Sequence, residues 1–397
     1  MEIGLLVALA LILSVAATLY ILVGYPLLLR YSKRRSPPVQ KDFGFRPTVT
    51  VLLAVYNGED FVRKKLDSVF ASNYPAELVD VIVVSDGSTD RTDEIVASYA
   101  GDRVQLVRVA HQGKAAALNE GLLHVTGEIL FFTDVRQLLK PDALSQLVAN
   151  FADPAVGAAT GEPRFQHSLC VGEEADMDVY WRYELWVRRR HSEMDSTLVT
   201  TGWIYAVRRS LVGSIPPDTL VDDAIIPLRV FLAGYRVICE PQAIAVDYAQ
   251  IEGGEFRRKL RTLAGLWQVC IRMPQLFTRT NRMRLHFVSH KFSRLILPWA
   301  LLLGLFATLA LPPGRLRLGL LIATLTVVAL ALVDRILPAD VFLRRFSSPA
   351  KSFLVMNLAA MFSVVVFFVT PERIWRPTRV QPDAPATLLE KQPENKS

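Results

Sequence analysis

A doubly wound, mainly parallel α/β sheet inserted between transmembrane helices is the architecture this sequence predicts, and three observations predict it. The chain of 397 residues is 51% hydrophobic with a mean hydropathy of +0.28, too apolar for a soluble two-domain protein. Its apolar runs lie at the two ends, whereas residues 42–290 have ordinary charge content and are numerous enough for a core of their own. Within that central stretch, β-type runs alternate with helical ones from residue 48 onward, the pattern of a parallel sheet wound by crossover helices.

The first element is IGLLVALALILSVAATLYILVGYPLLL, residues 3–29, which carries no charge. At 1.5 Å per residue it exceeds the roughly 20 residues needed to cross a bilayer. It starts after MEIG and ends at RYSKRR, whereas a cleaved signal has a basic start and a shorter apolar core, so a retained anchor over 1–30 is expected. Arg30, Lys33, Arg34 and Arg35 follow it and set the central domain on the cytoplasmic side of a cell (inner) membrane by the positive-inside rule.

Residues 48–55, TVTVLLAV, are β-branched and apolar without alternation, as in a strand buried on both faces. Val62, Leu66, Val69 and Phe70 then recur at helical spacing before Pro75. The cycle repeats with strand 79–84, the turn SDGSTD, a helix from about 90 to Ala100, strand 104–109, helix 113–124 and strand 128–132. Ligands of such sheets bind beyond the carboxyl ends of the strands. The residues there are Tyr56 and Asn57, then Asp86, then Gly113 and Lys114, then Asp134 and Arg136. Neither GxGxxG nor GxxxxGK[ST] follows the first strand, which excludes the usual dinucleotide and Walker phosphate loops.

Each of these residues has a structural and a chemical reading. Ser88, Thr89 and Asp90 read as turn and cap residues, while the acceptor-only carboxylate of Asp86 suits a nucleobase N–H or a ribose hydroxyl. Lys114, in the first turn of an alanine-rich helix, is either solvated or a phosphate contact. In VDDAIIPLRV, Asp223 is a helix N-cap, with Pro227 tolerated in the first turn, or one acid of Asp222 and Asp223 is a general base whose pKa its neighbour raises. FFTDVRQ ends a buried run on Asp134 with Arg136 two places on.

EFRRKLRTLAGLWQVCIRM, 255–273, has Phe256, Leu260, Leu263, Trp267 and Ile271 on one stripe among basic residues. It reads as an amphipathic helix in the membrane interface or as a core-facing helix of the soluble domain. Three further membrane segments are expected near 295–311, 318–333 and 353–370. Counting spans puts the loop with Arg335, Arg344, Arg345 and Lys351 inside but leaves Arg373, Arg376 and Arg379 outside, so one segment is re-entrant or interfacial. The expected organisation is thus 1–30 anchor, 42–250 soluble domain, 251–292 interface helices, 293–372 about three membrane segments and 373–397 polar tail.

Cys170, Cys239 and Cys270 form no CxxC pattern and read as reduced structural thiols. The net charge of +7 flanks apolar segments, which favours attraction to acidic lipids over nucleic acid.

Together these segments resemble the membrane-embedded family 2 glycosyltransferases, the cellulose, hyaluronan, chitin and poly-N-acetylglucosamine synthases and their relatives, over about residues 48–270 and the flanking spans. The resemblance implies a GT-A fold and inverting transfer of a sugar from a nucleotide diphosphate, usually UDP, to an acceptor hydroxyl. Tyr56 and Asn57 of AVYN and Asp86 match segments that hold base and ribose, and Gly113 and Lys114 match the next nucleotide loop. Asp134 matches the first acid of DxD, which implies Mg2+ or Mn2+. Thr201, Gly202 and Trp203 of TTGW match the segment near the acceptor sugar, and Asp223, with Asp222 before it, matches the catalytic base. RKLRTLAG lies where QxxRW is expected, with Arg258 for the glutamine, Arg261 retained and Thr262 for the tryptophan; Trp203 or Trp267 would have to supply the aromatic floor. The second acid of DxD is Arg136, and one remaining carboxylate is a poor site for a hard divalent cation. Without a metal, Lys114, Arg136 and Arg261 could supply the positive charge, with Arg136 facing the phosphates or neutralising Asp134. Single addition to a lipid acceptor and a nucleotide-sugar-binding scaffold without activity are the alternatives to polysaccharide synthesis.

Overall fold

The computed structural model describes the chain except residues 1, 35, 100, 102, 167–178, 249–254, 339–340, 371–373 and 375–397. Cys170 and the polar tail with Arg373, Arg376 and Arg379 lie outside the described residues. The chain divides into two units, a helical one (Met1–Lys33, Val179–Arg190, Gly253–Trp375) and a sheet one (Arg34–Asp178, His191–Glu252, Arg376–Ser397).

The chain begins with α1 (Glu2–Leu19), which continues through a π-helical turn into α2 (Tyr25–Tyr31). The sheet unit follows in the order β1 (Val49–Val55), α3 (Glu59–Phe70), β2 (Val79–Asp86), α4 (Thr92–Ala97), β3 (Val104–Val109), α5 (Lys114–Leu122) and β4 (Ile129–Phe132). Then come β5 (Leu138–Leu139), α6 (Ala143–Val148), β6 (Val156–Gln166), α7 (Val179–Met194), β7 (Tyr205–Arg208), α8 (Asp222–Leu232) and β8 (Arg236–Tyr248).

Among the described residues, eight strands form one sheet in the order β3-β2-β1-β4-β7-β6-β8-β5. Its first half is parallel throughout, from β3 to β4. β7 is antiparallel to both neighbours and β5 to β8, while β6 and β8 run parallel. The fold is therefore the expected GT-A-like sheet with helices, mixed in its second half. Burial explains the strand patterns: β1 and β4 are central and covered on both faces, hence runs that are apolar except for Thr50, whose hydroxyl donates to Asp80. β3 is an edge strand and keeps Gln105 and Arg108 toward solvent. Val51, Leu53, Val81, Val83 and Phe131 pack against α3 residues Val62, Leu66 and Val69 in one core.

In the helical unit, α9 (Glu255–Arg272), α10 (Arg284–His286), α11 (Ser293–Ala310), α12 (Arg315–Val333) and α13 (Arg344–Phe362) follow. Among the described residues, four helices are long and apolar enough to cross a membrane: Gly4–Tyr31, Arg284–Ala310, Arg315–Val333 and Arg344–Phe367. α1 lies on α11, where the Ser14 hydroxyl donates to the Ala300 carbonyl at 2.7 Å, and Gly304 leaves space for that serine, since a Cβ there would come within 2.2 Å of its Oγ. α9 packs on α13. Its buried residues, Lys259, Leu263, Leu266 and Val269 among them, define a face rotated from the expected stripe, and Ile271 points outward.

The first part of α7 is fastened by charge to α11 and to the π-helical turn, Phe287–Phe292, that precedes it. Glu184, buried, accepts from Lys291 Nζ at 2.6 Å and Arg294 Nη2 at 2.5 Å, with Arg188 and His290 each at 3.5 Å. Burial alone would favour the neutral acid, yet Arg294 and Lys291 hold Glu184 ionised, well below the ordinary carboxylate range. Removing one partner of a buried charge cluster typically costs about 3–5 kcal/mol. Glu184→Gln is expected to lower the melting temperature of the detergent-solubilised protein by several degrees; an unchanged melting curve would show that the cluster is solvated.

Candidate functional site

The parallel strands deliver their carboxyl ends to one edge of the sheet, and the polar residues singled out in the sequence gather there. β1 ends at Val55, opposite Ser85, and β2 ends one residue further on, at Asp86. The loops that leave them are stitched together: Ser88 Oγ accepts from the Asn57 amide at 3.1 Å, Asn57 Oδ1 from the Thr89 amide at 2.8 Å and Asp90 Oδ2 from the Glu59 amide at 3.0 Å. Asn57 adopts a positive φ of 49° within this stitch. Ser88 and Thr89 thus cross-link the two loops instead of capping the next helix; Asp90 also accepts from the Thr92 amide at the start of α4.

Asp86 is 2% exposed. Its oxygens take the backbone amides of Gln112 and Gly113 at 2.8 and 3.0 Å, and His111 Nδ1 lies 2.9 Å from the Asp86 carbonyl oxygen. The carboxylate therefore shapes the HQGK loop, with Gly113 at φ 92° turning the chain into α5. The His111 ring lies against Tyr56, with centroids 4.2 Å apart. Tyr56 and His111 follow β1 and β3, the strands on either side of β2, and no local pattern in the sequence marks their contact.

Lys114 opens α5 and reaches two carboxylates, Asp134 at 2.9 Å and Asp222 at 3.2 Å. Burial would lower its pKa; Asp134, then Asp222 and Asp223, outweigh that and keep it protonated far above the ordinary lysine range. Tyr205 on β7 donates to the other oxygen of Asp222 at 3.3 Å. Burial first, and the Asp222 charge second, hold this phenol well above its usual range, so it acts as a donor.

Arg136 departs from expectation. It neither neutralises Asp134 nor stands free for phosphates: its Nε and Nη2 form a fork on Asp247 of β8, at 2.9 and 2.6 Å, and Gln137 Nε2 adds a third bond to that carboxylate at 3.0 Å. A planar guanidinium prefers a buried bidentate carboxylate. Beneath the same turn, fully buried Lys65 on α3 donates to the Gln137 carbonyl at 2.5 Å. Burial pulls its pKa down to about 7, and Asp134 pulls in the opposite direction.

Asp222 and Asp223 are the first two residues of α8, whose N-cap is Val221; Asp223 is not the cap, and Pro227 falls inside the helix. The Asp223 carbonyl accepts from the Thr200 amide at 3.0 Å and the Thr200 hydroxyl at 2.8 Å. Gly202 passes beside its side chain, where a Cβ would lie 3.3 Å from Oδ2. Thr201 donates its amide to Thr160 Oγ1 at 2.9 Å. Trp203 crosses Phe165 edge-on and is packed against the core, with its carbonyl on Thr133.

Arg258 and Arg261 belong to the helical unit. Arg261 is partly buried, and its Nε has no hydrogen-bond partner among the described residues. Thr262, at the expected tryptophan position, bonds back to the Arg258 carbonyl at 3.0 Å. Trp267 is occupied by Ser363, Phe292 and Phe367. Tyr205, Lys65, Asp247 and Thr200 were missed in the sequence, because their partners are 17 to 111 residues away and no local pattern marks them.

A divalent cation needs several oxygen ligands. Among the described residues no group of three or more His, Cys, Asp or Glu is assembled to hold a metal, Asp134 already carries the Lys114 ammonium, and its motif partner is an arginine bound elsewhere. The donor set as arranged does not fit a divalent cation.

Residues 50–215 match the family model described as glycosyl transferase family 2. Poly-beta-1,6-N-acetyl-D-glucosamine synthase of Staphylococcus aureus (strain MSSA476) is 26% identical over 267 residues, 66% of this chain and 64% of that protein. The enzyme of the same name from Staphylococcus epidermidis is 25% identical over 247 residues, 60% of each chain. The matched region thus spans less than two thirds of these relatives. Among solved structures, the mannosyltransferase PcManGT from Pyrobaculum calidifontis, in complex with GDP-Man and Mn2+, aligns with a TM-score of 0.71 and 26% identity over 90% of this chain and 98% of that one.

Lys65 generates a pH prediction. Between its folded value of about 7 and the ordinary lysine value, the unfolded chain binds a proton that the folded chain does not, so this residue's destabilising effect is full below about 7 and fades as pH rises. The unfolding midpoint is expected to rise from pH 7 to pH 9, and Lys65→Met should be more stable at pH 7 and lose most of that rise; equal pH dependence in both proteins would refute the assignment.

Proposed function

We propose that this chain, which carries a family 2 glycosyltransferase domain over residues 50–215, moves a sugar from a nucleotide diphosphate, with UDP as the nucleotide, to a hydroxyl of a growing polysaccharide at the membrane. The observation that carries this reading is the convergence of Asp223, Asp222, Lys114 and Asp134 beyond the parallel strand ends, with Gly202 leaving room beside the Asp223 carboxylate. The sheet unit is proposed to face the cytoplasm, on the side marked by Arg30, Lys33 and Arg34.

In this reading the nucleotide lies along the loops of Tyr56, Asn57, Asp86 and Gly113, with aromatic surface from Tyr56 and His111. Asp223 removes the proton from the acceptor hydroxyl as its oxygen bonds to the anomeric carbon from the face opposite the diphosphate. The bond from that carbon to the phosphate oxygen breaks, its electron pair leaves on the diphosphate, and the configuration inverts. Lys114, held protonated by its acids, offers positive charge to the leaving group in a partly buried setting, where fixed charges act most strongly. Asp222, tied to Lys114 and Tyr205, orients that ammonium. For Arg258 and Arg261 we propose only the diphosphate-side role that the resemblance implies, and for Thr201, Gly202 and Trp203 the acceptor side. Because the donor set does not fit a divalent cation, no step is drawn through one. Mg2+ or Mn2+ remains what the resemblance implies for Asp134.

Thr262 in place of tryptophan favours a second reading, single addition to a lipid acceptor, because no aromatic floor comes from that position.

Membranes carrying the protein are expected to incorporate label from one member of a panel of radiolabelled nucleotide sugars, and separate lipid and polymer extraction decides between the two acceptors. General-base assistance is typically worth about 10²–10⁴-fold, so Asp223→Asn should lose about that factor in turnover while still binding nucleotide; full activity would end the base assignment. Transfer should persist in EDTA, and a collapse reversed by Mn2+ would restore the metal to the mechanism.

A further inference from the structure

Pro227 sits at the sixth position of α8, where a helix ordinarily offers an N–H to the carbonyl four residues back. Proline has none, and its ring crowds that carbonyl. The carbonyl in question is that of Asp223, and it accepts two hydrogen bonds from Thr200, from its amide at 3.0 Å and its hydroxyl at 2.8 Å. Thr200 is 1% exposed, and the turn after it is fixed in turn: Thr201 donates to Thr160 Oγ1, the Ile204 amide to the Thr201 carbonyl at 2.9 Å, and the Thr160 hydroxyl to the Ile204 carbonyl at 3.1 Å. That turn returns Gly202 to the Asp223 carboxylate, close enough that a Cβ would crowd Oδ2.

We infer that Pro227 and Thr200 are positioning residues for Asp223: the proline withholds the helix bond from the Asp223 carbonyl, and Thr200 takes that carbonyl to lock the base against the acceptor-side turn. The inference rests on the reading of Asp223 as general base. A proline inside a helix is otherwise a cost, and here the cost has a geometric return, since a base misplaced by about 1 Å loses on the order of 10²-fold in rate. The pair acts on the backbone of one residue. Tyr56, Asp86, Gly113 and Lys114, proposed to hold the donor, stand on other elements.

The test uses the full-length protein in detergent. Pro227→Ala supplies the missing N–H and a better helix former. Its melting temperature is expected to stay equal or rise and its donor KM to stay unchanged, while kcat falls tenfold or more. Thr200→Val, which deletes the hydroxyl at constant shape, should lower kcat at unchanged donor KM, and Thr200→Ser should restore it. Hydrogen exchange read by mass spectrometry on the peptide holding Thr200 needs no activity: its amide should exchange at least tenfold faster in Pro227→Ala than in the parent protein. Unchanged exchange, full kcat in Pro227→Ala and Thr200→Val, or a fall in kcat that merely tracks melting temperature and donor affinity would each overturn the inference. Faster exchange in a protein that transfers no sugar at all would instead sink the proposed function and leave the Thr200 contact standing.

Discussion

The site is organised by one shared ammonium. Three carboxylates, Asp134, Asp222 and Asp223, are carried to the same edge by a strand end and a helix start, and like charges in a partly dry place repel. Lys114 lies between the first two and feels the third. It reaches them only because α5 starts at that point, and α5 starts there because Asp86 gathers the amides of Gln112 and Gly113. A buried acid at the end of β2 thus decides where the cation stands, and the cation decides whether the carboxylates can stand together.

The same logic explains the turn after β4. Where the resemblance implies a second acid, an arginine points away and forks onto Asp247, with Gln137 completing the contact and Lys65 holding the Gln137 carbonyl. A second carboxylate here would face an already crowded acidic edge, whereas the arginine exports its charge to β8 and ties the parallel half of the sheet to the mixed half. Asp134 is left with Lys114 as its counter-charge. A motif that resembles a metal clamp has become a strut between two strands.

How much of this was legible depended on range. β1, β2, β3 and β4 could be read because two-sided burial imposes a local pattern, and the residues just past them followed from the rule for strand ends. Asp86 and Lys114 were located in this way. What each touches was not legible: Arg136 meets Asp247 111 residues on and Lys65 meets Gln137 72 residues on. Pro227 was misplaced for a simpler reason. Reading Asp223 as an N-cap starts the helix two residues late, and that shift hid a proline in the helix interior. The antiparallel strand between β4 and β6 was likewise invisible, since YAVR is too short to show a period.

The two aspartates that open α8 show why adjacency in sequence does not mean equivalence in chemistry. Successive residues of a helix point about 100° apart, so the two side chains make different direct contacts. Asp222 turns inward to Lys114 and Tyr205 and is 7% exposed; its charge is spent on holding the lysine. Asp223 turns toward Gly202, with its backbone rather than its carboxylate taken by Thr200. The base role proposed for Asp223 requires a fixed position, and the main-chain anchor supplies it. The proline that weakens the helix is what frees the main-chain carbonyl for that anchor, so a local defect in α8 and the orientation of its second acid are the same structural fact.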